Sequence, residues 1–192
     1  MSEHAGPAKR PVSQTLAGPY GHPFHPILVT VPIGAWVASL VFDVGSHVVA
    51  GPAFLVVGST WLIALGVIGA LLAAVVGTMD LLIVPPGTRA FRVGVLHMAL
   101  NLVITGAYVG NFLWRRAAGA TDTTAVAAAP VGTGPLVLSV ASLLALAVSG
   151  YLGGMLAYRY GVRVADEAVT QAEGYRHGTP RTGVHERARP AH

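Results

Sequence analysis

The chain has 192 residues, of which 53% are hydrophobic and only 10% are charged, and its formal net charge is +4. Soluble domains carry about 25% charged residues, so this composition excludes an ordinary soluble globular protein. The sequence contains no cysteine, which excludes disulfides, thiol chemistry and iron–sulfur ligation by this chain.

The first 20 residues are polar, contain prolines and lack the apolar core of a cleavable signal peptide. We predict a disordered segment over residues 1–20. The stretch that follows, GHPFHPILVTVPIGAW, places His22 and His25 directly before a long apolar run, each ahead of a proline. Ionisable side chains at a membrane boundary are functional candidates, although interfacial histidines also start helices and bind phosphate headgroups.

Four apolar segments follow, each long enough to cross a hydrocarbon core of about 30 Å. We predict membrane-spanning helices over residues 26–49, 61–84, 91–114 and 136–160. Pro32 removes a backbone donor and is expected to bend the first helix. The residues after 164 are polar, so we predict a disordered tail over residues 165–192, which leaves residues 21–164 as the transmembrane domain.

Cations are concentrated on one side of this predicted topology. The N-terminus, the second loop and the C-terminus hold ten of the 12 basic residues: Lys9, Arg10, Arg89, Arg92, Arg159, Arg163, Arg176, Arg181, Arg187 and Arg189. The other side holds Arg115 and Arg116. The positive-inside rule therefore predicts that both termini are cytoplasmic, in an all-α, four-helix integral protein of the plasma membrane. The same placement explains the positive charge by topology and argues against nucleic-acid binding.

Polar residues within the predicted helices share faces. The third helix carries His97, Asn101, Thr105 and Tyr108 at spacings of four, four and three, and the first carries His25, Pro32, Trp36, Ser39, Asp43 and His47 on one face. The second and fourth helices carry stripes of small residues, which let membrane helices pack closely. Lipid satisfies no hydrogen bond, so the polar faces are expected to line the interior of a compact bundle.

Helical rise places the ionisable groups in two layers. The layer below the cytoplasmic face holds the predicted metal set, which is His22, His25, Asp80 and His97. The predicted cofactor set is His25, His97, His22 and Asn101, because two histidines from facing helices are the usual axial ligands of a b-type haem. A smaller transition metal bound by imidazole and carboxylate is the alternative. Asp43 and His47, four residues apart, are predicted to form a structural pair in the opposite layer, near Arg115 and Arg116.

Four stretches carry a family resemblance: GHPFHPILVTVPIGAWVASLVFD, GTMDLL, LHMALN and SGYLGGMLAYRYGV. In this order they resemble the signatures of a bacterial four-helix membrane family catalogued as domain of unknown function 2231, over about residues 20–164. The family has no settled activity. The resemblance carries over its polar and glycine positions to His22, His25, Asp43, Asp80, His97, Asn101, Gly150, Gly153 and Gly154. Thr30 stands where many relatives have a further histidine.

Three functional hypotheses follow. The first is a haem- or metal-binding electron-transfer subunit, and the link of some relatives to Rieske-type iron–sulfur proteins favours a Rieske-type or cytochrome partner by analogy. The second is a cofactor-free scaffold or accessory subunit, alone or in an oligomer. The third is a proton or small-ion pathway through His25, Asp80, His97, Asp43 and His47. We expect no stand-alone catalytic activity, because nothing resembles a hydrolase triad or a phosphate loop.

Overall fold

The computed structural model describes residues 7–120 and 129–165, and these described residues contain helices and turns but no strand. Four helical segments are long and apolar enough to cross a membrane: span 1 (His25–Ser46), span 2 (Ala53–Leu82), span 3 (Arg89–Ala117) and span 4 (Thr133–Arg159). The predicted all-α architecture with four membrane helices is therefore confirmed. The predicted tail lies outside the described residues, apart from residue 165.

Span 1 is interrupted near its start. It consists of two helices, His25–Leu28 and Thr30–Ser46, which meet at Val29. Pro32 has no N–H group, so the carbonyl of Leu28 loses its helical partner four residues later. The helix resumes because the N–H of Ile33 donates to the carbonyl of Val29 at 3.2 Å. The bend predicted at Pro32 thus takes the form of a break one turn before it.

The ends of the other spans are set by local capping chemistry. Span 2 begins at Ala53, directly after Pro52, and ends ahead of the paired prolines at 85 and 86. Thr88 caps span 3, since its hydroxyl accepts a hydrogen bond from the N–H of Phe91 at 3.1 Å. Span 4 is α-helical over Thr133–Gly154 and finishes in a wider π-helical turn, Met155–Arg159.

The spans form a closed ring in which each packs against two neighbours, so that spans 1 and 3 lie diagonally opposite each other. The apolar core at the centre of this ring is Trp36, Ile63, Ile104 and Tyr108, with one residue each from spans 1 and 2 and two from span 3. The Trp36 and Tyr108 rings stack at 4.1 Å with an interplanar angle of 11°. This core lies between two polar clusters, one toward each end of the bundle.

The outer faces of the spans expose large apolar side chains, among them Val41, Ile68, Leu72, Val103 and Leu144, each more than half exposed. In water such a surface would be strongly unfavourable, whereas hydrocarbon solvates it well. Together with the length of the spans, this surface identifies a multi-pass membrane protein.

The described part of the N-terminal segment has structure where the sequence predicted disorder. It contains a 3₁₀ turn, Pro7–Lys9, and a short helix, Gln14–Ala17, that is capped by Ser13. The backbone N–H of Arg163, beyond span 4, donates to the carbonyl of Ala8 at 3.0 Å. This tertiary contact holds the two terminal segments together at the same end of the bundle, which local sequence could not reveal.

Candidate functional site

His25 and His97 face each other across the interior of the bundle and form the histidine pair. His25 begins span 1, and His97 lies in the third turn of span 3. Their ring centroids are 6.4 Å apart, with an angle of 83° between the ring planes. Since spans 1 and 3 are diagonal partners, the two imidazoles meet across the centre of the ring.

Each imidazole of the histidine pair is oriented by a backbone carbonyl of a neighbouring span. Nδ1 of His25 lies 2.9 Å from the carbonyl oxygen of Ala73, and Nδ1 of His97 lies 2.9 Å from that of Ser149. A carbonyl only accepts, so Nδ1 donates in both rings, and in the neutral imidazole the lone pair is then on Nε2. An imidazole fixed in this tautomer is prepared to bind a metal through Nε2.

Glycines leave the space that the two rings occupy. A Cβ added at Gly77 of span 2 would lie 2.8 Å from Cε1 of His25, and one added at Gly153 of span 4 would lie 3.1 Å from Cε1 of His97. Any larger side chain at these positions would push the imidazoles out of place. The small-residue stripes of spans 2 and 4 therefore accommodate the histidine pair as well as helix packing.

Asn101 ties His97 to span 4. Its side-chain nitrogen donates to the carbonyl of His97 at 2.8 Å and to the hydroxyl of Ser149 at 2.6 Å. The same nitrogen is 3.3 and 3.4 Å from the two ring nitrogens of His97, so it lies against the ring rather than along one lone pair. This contact holds the imidazole in place against span 4.

Asp80 is occupied by a partner that sequence reasoning missed. Its Oδ1 lies 2.9 Å from Nε of Arg163, and both side chains are buried. Nη2 of Arg163 also donates to the carbonyls of Ala17 and Gly18, at 2.8 Å each. Asp80 is about one helical turn beyond Gly77, which lies against His25, so this ion pair lies on the side of the histidine pair that faces the terminal segments.

The predicted four-residue metal set is only partly assembled. His22 is exposed in the loop before span 1, and no hydrogen bond joins its side chain to the other three. Asp80 is paired with Arg163. Across the described ranges, no group of three or more histidine, aspartate or glutamate side chains is close enough to hold a metal. What remains of the predicted sites is the histidine pair, with Asn101 beside it.

A second polar cluster, the arginine cluster, lies at the opposite end of the bundle. Its centre is the buried ion pair of Arg115 and Asp43, with Nη2 and Oδ2 at 2.6 Å. The other members of the cluster are Ser59 of span 2, Asn111 of span 3 and Ser139 of span 4. The predicted partner of Asp43, His47, is wrong. His47 lies beyond the last helical residue of span 1 and is exposed. The partner of the Asp43 carboxylate is instead the guanidinium of Arg115, from span 3.

Every guanidinium nitrogen of Arg115 has a partner. Nε donates to Asn111 at 2.8 Å, Nη1 to Asp43 at 2.8 Å and to Ser59 at 2.9 Å, and Nη2 to Asp43 and, at 3.4 Å, to Ser139. The Ser59 hydroxyl also donates to the Asp43 carboxylate. A buried ion pair is tolerated when its hydrogen bonds are complete, so this cluster can join all four spans without a stranded charge.

The apolar core separates the two polar clusters. Trp36 lies between His25 and Asp43 along span 1, and Ile104 lies between Asn101 and Arg115 along span 3. Both are almost completely buried. A chain of hydrogen-bonding groups from one cluster to the other would have to pass this core, which weighs against the predicted ion pathway.

Comparison with known proteins gives one result on the family. The sequence profile of the family described as "Predicted membrane protein (DUF2231)" matches residues 21–166, a range that holds all four spans and both polar clusters. No curated protein and no solved structure matches the chain. The chain therefore belongs to the DUF2231 family of predicted membrane proteins.

Proposed function

We propose that this protein is an electron carrier of the plasma membrane in which His25 and His97 would hold a haem through their imidazole nitrogens. The observation that carries the proposal is the histidine pair, whose rings are 6.4 Å apart and whose Nδ1 atoms are both engaged by backbone carbonyls. Two imidazoles on opposite sides of one metal ion have centroids about 6 Å apart at metal–nitrogen distances near 2 Å.

The number of protein ligands favours haem over a bare ion. Among the described residues only two imidazoles converge, and a porphyrin would supply the other four ligands of an octahedral iron. A bare zinc, nickel or iron ion would require more protein ligands than the two imidazoles of the histidine pair. When bound, the haem supplies one-electron chemistry.

The protein side chains would hold and orient this group. The carbonyls of Ala73 and Ser149 fix the two imidazole tautomers, and Asn101 keeps His97 against span 4. In this proposal both termini are cytoplasmic, and the electron partner is a Rieske-type or cytochrome redox protein.

The test is the absorbance of the purified protein. Expression with added haem precursor should yield a protein with a Soret band, a band shift on reduction with dithionite, and iron in stoichiometric amount. His25→Gln and His97→Gln should each lose the Soret band. His47→Gln, which changes an exposed histidine at the other end of the bundle, is the matched control and should keep it.

The outcomes separate haem, a bare ion and no cofactor. If His25→Gln folds poorly, His25→Ala with added imidazole replaces it, because imidazole should restore the band. Stoichiometric copper or iron without a Soret band would replace the haem by a single ion on the same histidines. A folded wild-type protein with neither Soret absorbance nor stoichiometric metal, after haem is also supplied in vitro, would overturn the proposal.

A cofactor-free scaffold is the second candidate, and the arginine cluster favours it. That cluster already shows that this bundle uses a buried polar network to join its spans, and the histidine pair can serve the same purpose through Ala73 and Ser149. In that case His25→Gln and His97→Gln would reduce bundle stability in a protein that is colourless from the start.

A further inference from the structure

The end of the bundle nearest the histidine pair carries a set of exposed cations. Arg10 lies in the N-terminal segment, Arg89 and Arg92 in the first turn of span 3, and Arg159 at the end of span 4. All four side chains are exposed. We call these residues the arginine belt.

No carboxylate among the described residues neutralises the arginine belt. The only acidic side chains in residues 7–120 and 129–165 are Asp43 and Asp80. Both are buried, and each is already paired with an arginine, Arg115 and Arg163 respectively. Within the described part of the chain, the charge of the belt is therefore not cancelled by a carboxylate.

The opposite end exposes fewer cations than the sequence indicated. Of its two arginines, Arg115 is buried in the arginine cluster, with 2% of its surface exposed. Arg116 remains exposed, with its guanidinium 5.9 Å from the centroid of the Phe112 ring. Among the residues that the structure describes, the exposed arginines are thus four in the arginine belt and one, Arg116, at the other end.

The span ends, where the arginine belt lies, are expected to meet the boundary between the hydrocarbon and the headgroups of a bilayer. Each belt residue is within or just beyond the end of a span or in the segment docked there. Tyr158, next to Arg159 at the end of span 4, is 93% exposed. Exposed tyrosines at a span end mark the interface, and arginine stems extend along apolar surface so that their charged heads reach the phosphates.

We infer that the arginine belt binds anionic phospholipid headgroups, such as phosphatidylglycerol or cardiolipin. The belt is positive, its guanidinium groups form paired hydrogen bonds with phosphate oxygens, and its depth matches that of the phosphates. A soluble acidic protein would meet this belt only where it projects beyond the headgroups, so lipid is the occupant that the geometry favours. This inference is independent of the proposed haem.

The test compares lipid retention by a belt variant and a matched control. The purified protein is incorporated in nanodiscs of phosphatidylcholine with or without phosphatidylglycerol, then released into detergent, and the lipids that remain bound are identified by native mass spectrometry. Wild type should retain phosphatidylglycerol selectively. Arg89→Gln/Arg92→Gln should lower the affinity for it by about fivefold for each arginine removed.

Arg116→Gln is the control, since it removes one exposed cation from the other end. It should retain phosphatidylglycerol as wild type does, and its unfolding temperature should rise equally when that lipid is added. Salt should weaken retention by wild type, because headgroup contacts at this surface are screened. Equal retention of both lipids by wild type, or equal losses in the Arg116 and belt variants, would overturn the inference. Binding of an acidic soluble protein to the belt that added phosphatidylglycerol fails to displace would also overturn it.

Discussion

Arg115 is the residue on which the polar interior at one end of the bundle depends. Its guanidinium compensates the carboxylate of Asp43, which is 0% exposed and has no other cation beside it in the described residues. Arg115→Met keeps most of the side-chain volume and removes the charge, so it leaves a buried uncompensated carboxylate. We predict a loss of about 3–5 kcal/mol in the free energy of unfolding, measured by denaturant titration in micelles.

Two further variants identify the cause of that loss. Arg116→Met changes the neighbouring exposed residue and should cost little. Arg115→Met combined with Asp43→Asn should recover part of the loss, because no charge then stays buried. Equal destabilisation by Arg115→Met and Arg116→Met would show that the ion pair does not stabilise the bundle.

Arg163 combines backbone strain with a buried charge. It has a φ of 60°, in the left-handed region that side chains other than glycine rarely adopt, and it is 3% exposed. Arg163→Ala and Arg163→Gly both strand Asp80, but glycine relieves the strain. We predict that the alanine variant is less stable than the glycine variant by about 1 kcal/mol in thermal unfolding.

The Asp80 carboxylate supplies the control for this comparison. Adding Asp80→Asn to Arg163→Gly should recover most of the lost stability, since the neutral amide needs no cation. A glycine variant that is no more stable than the alanine variant would indicate that the left-handed backbone at 163 contributes no strain.

At this scale the sequence indicated which residues are polar and interior but not their partners. Spacing within span 3 placed His97 and Asn101 on one face, and the structure brings both to the interior. The same spacing continues from Tyr108 to Asn111 and Arg115. This spacing was the sequence feature from which the interior position of the arginine cluster could have been predicted. Basic residues near span ends were interpreted only as topology signals, so the buried roles of Arg115 and Arg163 were missed.

At the scale of the helices, Gly77 and Gly153 decide how closely spans 2 and 4 approach the histidine pair. Gly77→Ala would bring a methyl group within 2.8 Å of the His25 ring, and Gly153→Ala within 3.1 Å of the His97 ring. The ring or the helix must shift, so we predict a loss of about 1–3 kcal/mol in unfolding free energy. In a haem-loaded protein the Soret band should weaken or move as well.

Gly106→Ala is the matched control for these two variants. Gly106 lies in span 3, and a Cβ added there meets nothing within 4 Å. Alanine is the better helix former, so this variant should be as stable as wild type or slightly more stable. Equal losses in all three variants would mean that the effect comes from the helix backbone and not from contact with the imidazoles.

The spans themselves were predictable because their signal is local. Length and hydropathy are enough to predict that a segment crosses the membrane. Pro32 likewise predicted a distortion of span 1. The docked helix Gln14–Ala17 was not predicted, because four residues form a helix here only with tertiary contacts from Arg163 and the neighbouring segments.

At the scale of the whole molecule, the bundle has one end with the histidine pair and the arginine belt and another with the arginine cluster. The apolar core separates the histidine pair from the arginine cluster. The exposed charge is unequal, since Arg10, Arg89, Arg92 and Arg159 lie at the first end and Arg116 at the second. Translocation of cations across the membrane is disfavoured during insertion, so this inequality predicts that the belt end is cytoplasmic.

The sequence makes this orientation directly measurable, since it has no cysteine and any single introduced thiol is unique. Pro86→Cys lies in the exposed loop between spans 2 and 3, beside the belt, and Ala118→Cys lies exposed just beyond the other end of span 3. A membrane-impermeant maleimide applied to intact cells should label Ala118→Cys and should reach Pro86→Cys only after lysis. Replacing Arg10, Arg89, Arg92 and Arg159 by glutamine in the Pro86→Cys protein lowers the number of basic residues on this side from ten to six. The charge inequality is then weaker, so a fraction of the chains should be labelled without lysis. Labelling of Pro86→Cys in intact cells before any arginine is changed would reverse the orientation and place the histidine pair toward the outer face.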